Sequence, residues 1–175
     1  MVKDNFVIGV KTTDKTSAEP VTLAEAKQWC KVELAITEEN TIITELITSA
    51  RQLCEGYSCI SFTPKTVIAI LNNSGGGVEL PYGPVKDSPE ITYFDSTAVA
   101  ITDIILQGDE FKYIESPCYD FIKATYETGY TTLPLNFKTA LLQQIVYSYE
   151  NRGDATIQGL SPMVKQSLKP YRRIW

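Results

Sequence analysis

The spacing of apolar residues changes twice along this 175-residue chain, and that change limits the folds it can adopt. Between Ile43 and Tyr57 apolar residues recur in steps of three and four, which is the period of an amphipathic helix. From Phe62 to Glu127, short runs of β-branched and aromatic residues are separated by turn residues, a pattern typical of antiparallel strands. Helical spacing returns after Pro134. The sequence therefore predicts an α+β fold, a small helical bundle with an inserted small antiparallel β region.

Local capping signals place the first two helices. Thr22 and Glu25 have the spacing of a capping box, which predicts a helix over about 23–33. Thr37 is the predicted N-cap of a second helix, and that helix is predicted to end near Gly56. Two helices joined by a connection this short form an αα-hairpin.

The β region is predicted to contain several short strands, after a first strand near the N-terminus. The predicted strands are residues 6–10, 65–71, 78–80, 90–95, 98–106, 111–114 and 121–127. Residues 14–19 are polar and are predicted to form a loop. The three glycines at 75–77 are not followed by the Gly-Lys-Ser/Thr of a phosphate-binding loop, so they indicate a flexible hairpin loop.

Two more helices and a tail complete the chain. Pro134 opens the third helix, and Gly153 is its predicted left-handed C-terminal residue. Ser161 caps a short final helix that Pro170 is predicted to stop. Residues 1–175 are predicted to be one domain with a helical core at about 19–58 and 131–170, a β insertion at about 60–128 and a C-terminal docking tail at 170–175.

Composition argues against most catalytic chemistry. Histidine is absent, which removes the commonest general base and metal ligand. Glu127, with Tyr126 and Tyr130, is interpreted as the end of a sheet rather than a carboxylate site. The cysteines lack metal-site spacing and are predicted to be free thiols: Cys30, Cys54, Cys59 and Cys118. We therefore predict a protein that is not an enzyme and needs no metal or cofactor.

Nothing in the sequence indicates a membrane segment or a secretion signal. No apolar run reaches the roughly 18 residues of a spanning helix, and the first residues lack the charged-then-apolar pattern of a signal peptide. Synthesis in the cytoplasm is the resulting expectation.

Charge is distributed unevenly along the chain. The net charge is −5, but residues 165–175 carry four cations and no acidic side chain. Residues 1–164 carry 12 cations and 21 acids, a net charge of −9. An acidic body offers few cations for phosphate contacts, so tight DNA binding is not expected. A short basic tail favours docking onto an acidic partner surface.

Four stretches, in this order, carry a family resemblance. They are Glu-Pro-Val-Thr-Leu-Ala-Glu-Ala-Lys at 19–27, the helix Ile43–Tyr57, Thr-Tyr-Glu-Thr-Gly-Tyr at 125–130 with the Leu-Pro and helix that follow to 152, and Leu-Lys-Pro-Tyr-Arg-Arg at 168–173. Together they resemble the head-tail connector proteins of tailed bacteriophages, also called adaptor or head-completion proteins. The subgroup of this family that the chain resembles carries a β insertion between its second and third helices.

The resemblance implies a structural role in a virion. Such proteins form a cyclic homo-oligomer, typically a dodecamer, beneath the portal protein in the head-tail neck. The ring extends the channel through which genome double-stranded DNA passes without being read in sequence. It also presents a surface to the next neck or tail component, a stopper or tail-completion protein. The resemblance thus implies a protein made in the cytoplasm of a bacterial host and located in the virion, with no membrane partner.

The resemblance also indicates candidate interaction residues. The predicted portal-docking residues are Lys169, Tyr171, Arg172, Arg173, Ile174 and Trp175, because the C-terminal segment of this family commonly docks on the portal. In the alternative interpretation Ile174 and Trp175 cover the chain's own core. Trp29 lies off the apolar stripe of its helix, and is either a subunit contact or core. The candidate channel-lining residues are Glu38, Glu39, Glu45 and Glu55, with a solvated helix face as the alternative.

Three other functions remain open at this point. The first is a different phage neck or tail-completion component. The second is a small enzyme, against which the missing histidines argue. The third is a nucleic-acid-binding domain whose ten tyrosines stack on bases. That function requires basic residues among the strands, which carry mainly Lys65, Lys112 and Lys123 with acids nearby.

Overall fold

The computed structural model describes residues 6–72, 77–86, 89–93, 105–115, 121–154 and 159–173. The chain divides into two compact units. The β unit draws on residues 1–16, 63–131 and 173–175, and the helical unit on residues 17–62 and 132–172. The predicted α+β fold is confirmed, while the prediction of a single domain stays a prediction.

The described residues of the β unit form two antiparallel sheets. The described strands are β1 (Phe6–Asp14), β2 (Lys65–Asn72), β3 (Gly77–Glu79), β4 (Glu90–Tyr93), β5 (Ile105–Gln107), β6 (Tyr113–Glu115) and β7 (Phe121–Thr128). The larger sheet has the order β1-β2-β7-β4 and the smaller has the order β3-β6-β5. The sequence predicted antiparallel strands correctly, but it did not separate them into two sheets.

Alternation of apolar residues builds the core of the β unit. Val67 lies opposite Tyr126, and Leu71 lies opposite Ile122, in the antiparallel register of β2 and β7. All four side chains are buried, as are Ala69 and Ala124 midway between them, whereas the residues that alternate with them are less so. Because side chains alternate between the faces of a strand, this register places one apolar set on the core side.

Strand β1 is longer than the sequence predicted. It continues past residue 10 to Asp14, because it pairs with β2 from Phe6↔Asn72 to Asp14↔Lys65. At that end the Lys65 ammonium lies 2.8 Å from the Asp14 carboxylate. The β unit therefore includes an N-terminal strand that the predicted insertion at about 60–128 left out.

Some predicted β features lie elsewhere or outside the described residues. The predicted strand at 111–114 lies at Tyr113–Glu115, and the first glycines of the predicted loop at 75–77 are outside the described residues, with Gly77 opening β3. Most of the predicted strand at 98–106 is also outside them, and only its last residues appear, in β5.

A left-handed glycine ends β7 and brings two backbone segments together. Gly129 has φ +100°, and a Cβ placed on it would lie 2.0 Å from the Thr63 carbonyl oxygen. Its N–H donates to the Pro84 carbonyl at 3.1 Å, and the Thr128 hydroxyl donates to the same oxygen at 2.8 Å. Only glycine fits this position without displacing the backbone.

Four α-helices make up the described part of the helical unit. They are α1 (Leu23–Trp29), α2 (Asn40–Ser58), α3 (Leu135–Glu150) and α4 (Pro162–Leu168), followed by one 3₁₀ turn (Lys169–Tyr171). The predicted capping box of α1 is confirmed: the Glu25 N–H donates to the Thr22 hydroxyl at 3.2 Å, and the Thr22 N–H donates to the Glu25 carboxylate at 2.9 Å.

Helices α1 and α2 have different ends from those predicted. Helix α1 stops at Trp29, four residues before 33, because Lys31 adopts a left-handed conformation with φ 57°. Helix α2 begins at Asn40, with Glu39 as its N-cap, so the prediction that Thr37 caps it is wrong. It continues two residues past Gly56, and Cys59 with φ 58° takes the left-handed C-terminal position.

The later helices begin as predicted but end differently. Ser161 caps α4 by accepting from the Val164 N–H at 3.1 Å, which confirms the prediction. Helix α3 ends at Glu150 with Asn151 as its C-cap, so the prediction that Gly153 ends it is wrong. Pro170 lies inside the 3₁₀ turn rather than stopping the helical path.

Helices α2 and α3 run antiparallel, which gives the helical unit two distinct ends. At one end Arg152 after α3 lies 3.6 Å from Glu39 before α2. At the other, the ring of Phe62 after α2 lies 5.4 Å from that of Phe137 at the start of α3. We call the end that carries residues 29–42 the loop end, and the end that carries Phe137 the tail end.

Candidate functional site

The predicted docking residue Tyr171 packs partly against its own unit. Its ring lies edge-on to Phe137, with centroids 4.9 Å apart, and its hydroxyl accepts from the Asn136 side chain at 3.0 Å. The Tyr171 side chain is still 41% exposed. The Tyr171 ring is therefore held in one orientation while part of its surface stays exposed.

The next two residues of the predicted tail each lie over an aromatic ring. The Arg172 guanidinium lies 4.9 Å from the ring centre of Tyr57. The Arg173 guanidinium lies 4.2 Å from the ring centre of Phe111 and 3.6 Å from the Glu79 carboxylate. Exposed contacts of these kinds contribute up to about 1 kcal/mol each, so a partner can displace them.

The other predicted docking residues are Lys169, Ile174 and Trp175. Lys169 is exposed in the 3₁₀ turn. Ile174 and Trp175 lie outside the described residues, so portal docking by the tail stays a prediction.

A groove lies between α3 and α4 at the tail end. It has a volume of about 450 Å³ and is lined by residues of both helices and by Tyr171. Leu135 on its rim is 79% exposed, an unusual position for a leucine in the first turn of a helix. The groove also has polar lining residues: Asn136, Thr139, Gln143 and Ser167.

The loop end displays exposed apolar side chains. Leu34 is 66% exposed, and Trp29 at 42% is not core, which leaves the subunit-contact interpretation of Trp29. The backbone that presents them is anchored by Lys27, which is buried and donates from its ammonium to the carbonyls of Leu34 and Ile36. The sequence pattern gave Lys27 no role, although buried lysines are rare.

The candidate channel-lining acids have different surroundings. Glu38 and Glu45 are exposed, whereas Glu39 is partly buried, with its carboxylate 3.6 Å from Arg152. Glu55 is buried and bonded to Arg51 at 3.0 Å. The interpretation of Glu55 as a channel-lining or solvated residue is therefore wrong.

Glu55 instead belongs to an ion cluster that joins three segments of the helical unit. The Arg51 guanidinium donates to Glu19 at 2.6 Å and 3.1 Å and to Glu55 at 3.0 Å. The second Glu55 oxygen accepts from the Phe62 N–H at 2.7 Å. The only local signal for the cluster is the i, i+4 spacing of Arg51 and Glu55. Its contacts to Glu19 and Phe62 are long-range.

Hydrogen bonds and burial shift the pKa values of several side chains. The Glu127 carboxylate bonds to Lys15, which lowers the pKa of that carboxyl, while burial raises the pKa of Tyr126. A hydrogen bond from Lys138 at 2.6 Å lowers the pKa of Glu25.

Burial, complete for Cys54 and partial for Cys30 and Cys59, raises the pKa of each described thiol. Cys30, Cys54 and Cys59 are free thiols, and burial raises the pKa of Cys54 to about 12. Cys118 lies outside the described residues.

The described part of the chain contains neither a metal site nor a membrane-spanning helix. No three His, Cys, Asp or Glu side chains gather there as a metal site. None of the helices described is both long and apolar enough to cross a membrane.

Comparison with known proteins identifies the fold. No family model and no curated protein matches the sequence. Among solved structures, a chain from the neck of the empty gene transfer agent (GTA) particle, computed with C6 symmetry, matches with a TM-score of 0.72 at 15% identity, over 94% of this chain and 96% of that chain. With the same identity and coverage, a chain of the native GTA virion gives 0.70, and one from the native GTA neck computed with C12 symmetry gives 0.65. The protein therefore shares its fold, over nearly its whole length, with chains of GTA neck and virion particles.

Proposed function

We propose that this protein is a non-catalytic subunit of the neck of a phage-like particle. In this proposal its copies form a ring beneath the portal that connects head to tail and extends the DNA channel. The observation that carries the proposal is the fold likeness to a chain of the GTA neck, which covers 94% of this chain and 96% of that one. Because the likeness takes in helices and strands alike, it does not depend on a common helical hairpin alone.

Symmetry supports a ring. The GTA neck structures were computed with C6 and C12 symmetry, in which copies are related by rotation about one axis. Such a ring uses head-to-tail contacts between two different surfaces of the same chain. We propose twelve copies, which agrees with both symmetries.

Charge supports a channel that does not bind the DNA passing through it. The chain has a net charge of −5, so the ring as a whole is acidic. Exposed Glu38 and Glu45 are our candidates for the channel surface. Such a surface repels phosphates instead of pairing with them.

Electron microscopy tests the proposal directly. We expect negative-stain images of the purified protein, alone or mixed with portal-bearing capsids, to show rings with a central channel. In the mixed sample the rings are expected at the portal vertex. Protein that stays monomeric in both samples, or that binds only isolated tails, would contradict the proposal.

The C-terminal tail gives a second expected result. Removal of residues 172–175 is expected to abolish attachment of the ring to portal-bearing capsids, because it removes Arg172 and Arg173, whose present contacts are weak. Tyr171 and its packing against Phe137 are kept, so the helical unit should stay folded.

Attachment is measured by co-sedimentation with capsids, and folding by circular dichroism. The matched control removes two exposed cations elsewhere, Lys11→Ala with Lys123→Ala, and should attach normally. Normal attachment of the truncated protein would show that the portal is bound by another surface.

A further inference from the structure

The loop end presents an apolar surface on a fixed backbone. Trp29, Leu34, Ile36 and Ile42 are 42%, 66%, 40% and 42% exposed, and all four lie within residues 29–42. The Lys27 ammonium holds the loop against α1 through two carbonyls. Exposed apolar side chains clustered in this way are typical of protein interfaces, and a rigid backbone lowers the entropy cost of binding.

The tail end presents a groove instead of a protrusion. The groove between α3 and α4 has a volume of about 450 Å³, with exposed Leu135 and Tyr171 on its rim. The groove combines apolar walls with the four polar lining residues named above, so it can accept an apolar side chain and also bond to polar groups. The groove is therefore a candidate receptor for the apolar side chains that the loop end exposes.

The two surfaces also have opposite charges. Residues 29–42 contain two exposed carboxylates, Glu33 and Glu38, and a single cation, Lys31. The third carboxylate of this segment, Glu39, pairs with Arg152. Residues 165–172, at the end of α4 and in the turn after it, contain cations and no acidic side chain. Lys165 and Lys169 are exposed there. Opposite charges around two apolar surfaces favour their association and fix its orientation.

The two surfaces lie too far apart to meet within one copy. They are at opposite ends of the antiparallel α2–α3 pair, as the contacts Glu39–Arg152 and Phe62–Phe137 show. Helix α2 has 19 residues, so it separates the ends by about 28 Å at 1.5 Å per residue. A contact between them therefore requires two copies. It joins two different surfaces of the chain, which makes it a heterologous contact.

We propose that the loop end of one copy binds in the α3–α4 groove at the tail end of the next copy. Leu34 and Trp29 are the anchoring side chains, and Lys165 and Lys169 face the carboxylates of the neighbour. The inference rests on the proposed function, since repetition of this contact produces the ring. It moves Glu38 from the channel surface to the subunit contact, so that Glu45 stays the channel candidate. It also assigns Lys169 and Tyr171 to the subunit contact and leaves the residues after Tyr171 for the portal.

Two single substitutions and their mixture test the contact. Leu34→Asp disables the loop end, and Leu135→Asp disables the groove. Both positions are largely exposed, and an acidic residue is favourable in the first turn of α3, so both variants should fold. Under conditions in which the wild-type protein assembles, each variant alone is expected to sediment as a monomer. An equal mixture is expected to give dimers and no rings, because each variant supplies the one intact surface that the other lacks.

The control is Ile8→Asp, at another exposed apolar position, which should assemble as the wild type does. Variants that assemble normally, or a mixture that stays monomeric, would overturn the inference while leaving the ring itself in place. Wild-type protein that stays monomeric with and without portal would overturn both the inference and the proposed function. Sedimentation velocity distinguishes all of these results.

Discussion

Replacement of Arg51 by alanine is expected to lower the free energy of unfolding by about 3–5 kcal/mol, the usual effect of removing one member of a buried ion pair. The Arg51 and Glu55 side chains are 6% and 5% exposed. Without the guanidinium, the Glu55 carboxylate keeps only the Phe62 N–H among the contacts described above. Much of the effect is therefore the cost of leaving the buried Glu55 carboxylate without its arginine.

The measurement is urea denaturation followed by far-ultraviolet circular dichroism. The control, Arg152→Ala, breaks a more exposed pair with Glu39, where the arginine side chain is 46% exposed. It should cost less than about 1 kcal/mol. If Arg51→Ala cost no more than the control, the cluster would not stabilise the helical unit.

Replacement of Gly129 by alanine is expected to destabilise the β unit by more than about 2 kcal/mol. A left-handed conformation alone costs an alanine about 1–2 kcal/mol. The new Cβ would also lie 2.0 Å from the Thr63 carbonyl oxygen, so the backbone where β7 ends must move. The contacts of Gly129 and Thr128 with Pro84 are expected to weaken as a result.

Hydrogen exchange of the β2 and β7 amides measures this effect within the β unit. It does not require the whole chain to unfold in one step, an assumption that is unsafe for a chain with two units. The same change at Gly9, where a Cβ has no neighbour within 4 Å, is the control. Gly9→Ala should be neutral or stabilise by up to about 1 kcal/mol. Equal protection in the two variants would contradict the role assigned to Gly129.

Sequence predicts those parts of this fold that local chemistry determines. The capping box of Thr22 and Glu25 and the cap at Ser161 were predicted because each depends on residues a few positions apart. The end of α1 was not predicted, because Lys31 is left-handed without being a glycine or asparagine. Its conformation depends on the loop that Lys27 anchors, and no local signal encodes it.

Long-range pairing accounts for the other failures. Strand β1 extends to Asp14 because β2 lies beside it, about fifty residues later in the chain. Glu55 was grouped with the surface acids because the helical period of the sequence does not reveal its partners. Those partners are Arg51, which also binds Glu19, and the N–H of Phe62. The candidate site also has one part that the sequence predicted and one part that it did not. Composition indicated the basic tail, but the groove beside Tyr171 depends on how α3 and α4 pack.

The division of the chain into two units affects how the protein can be dissected. Residues 17–62 separate β1 from β2, and residues 63–131 separate α2 from α3. No continuous fragment therefore contains one complete unit without most of the other. A protease cut at exposed Thr132 would leave α1 and α2 on one product and α3 and α4 on the other. Noncovalent packing of α2 against α3 and α4 should hold the products together until denaturant is added.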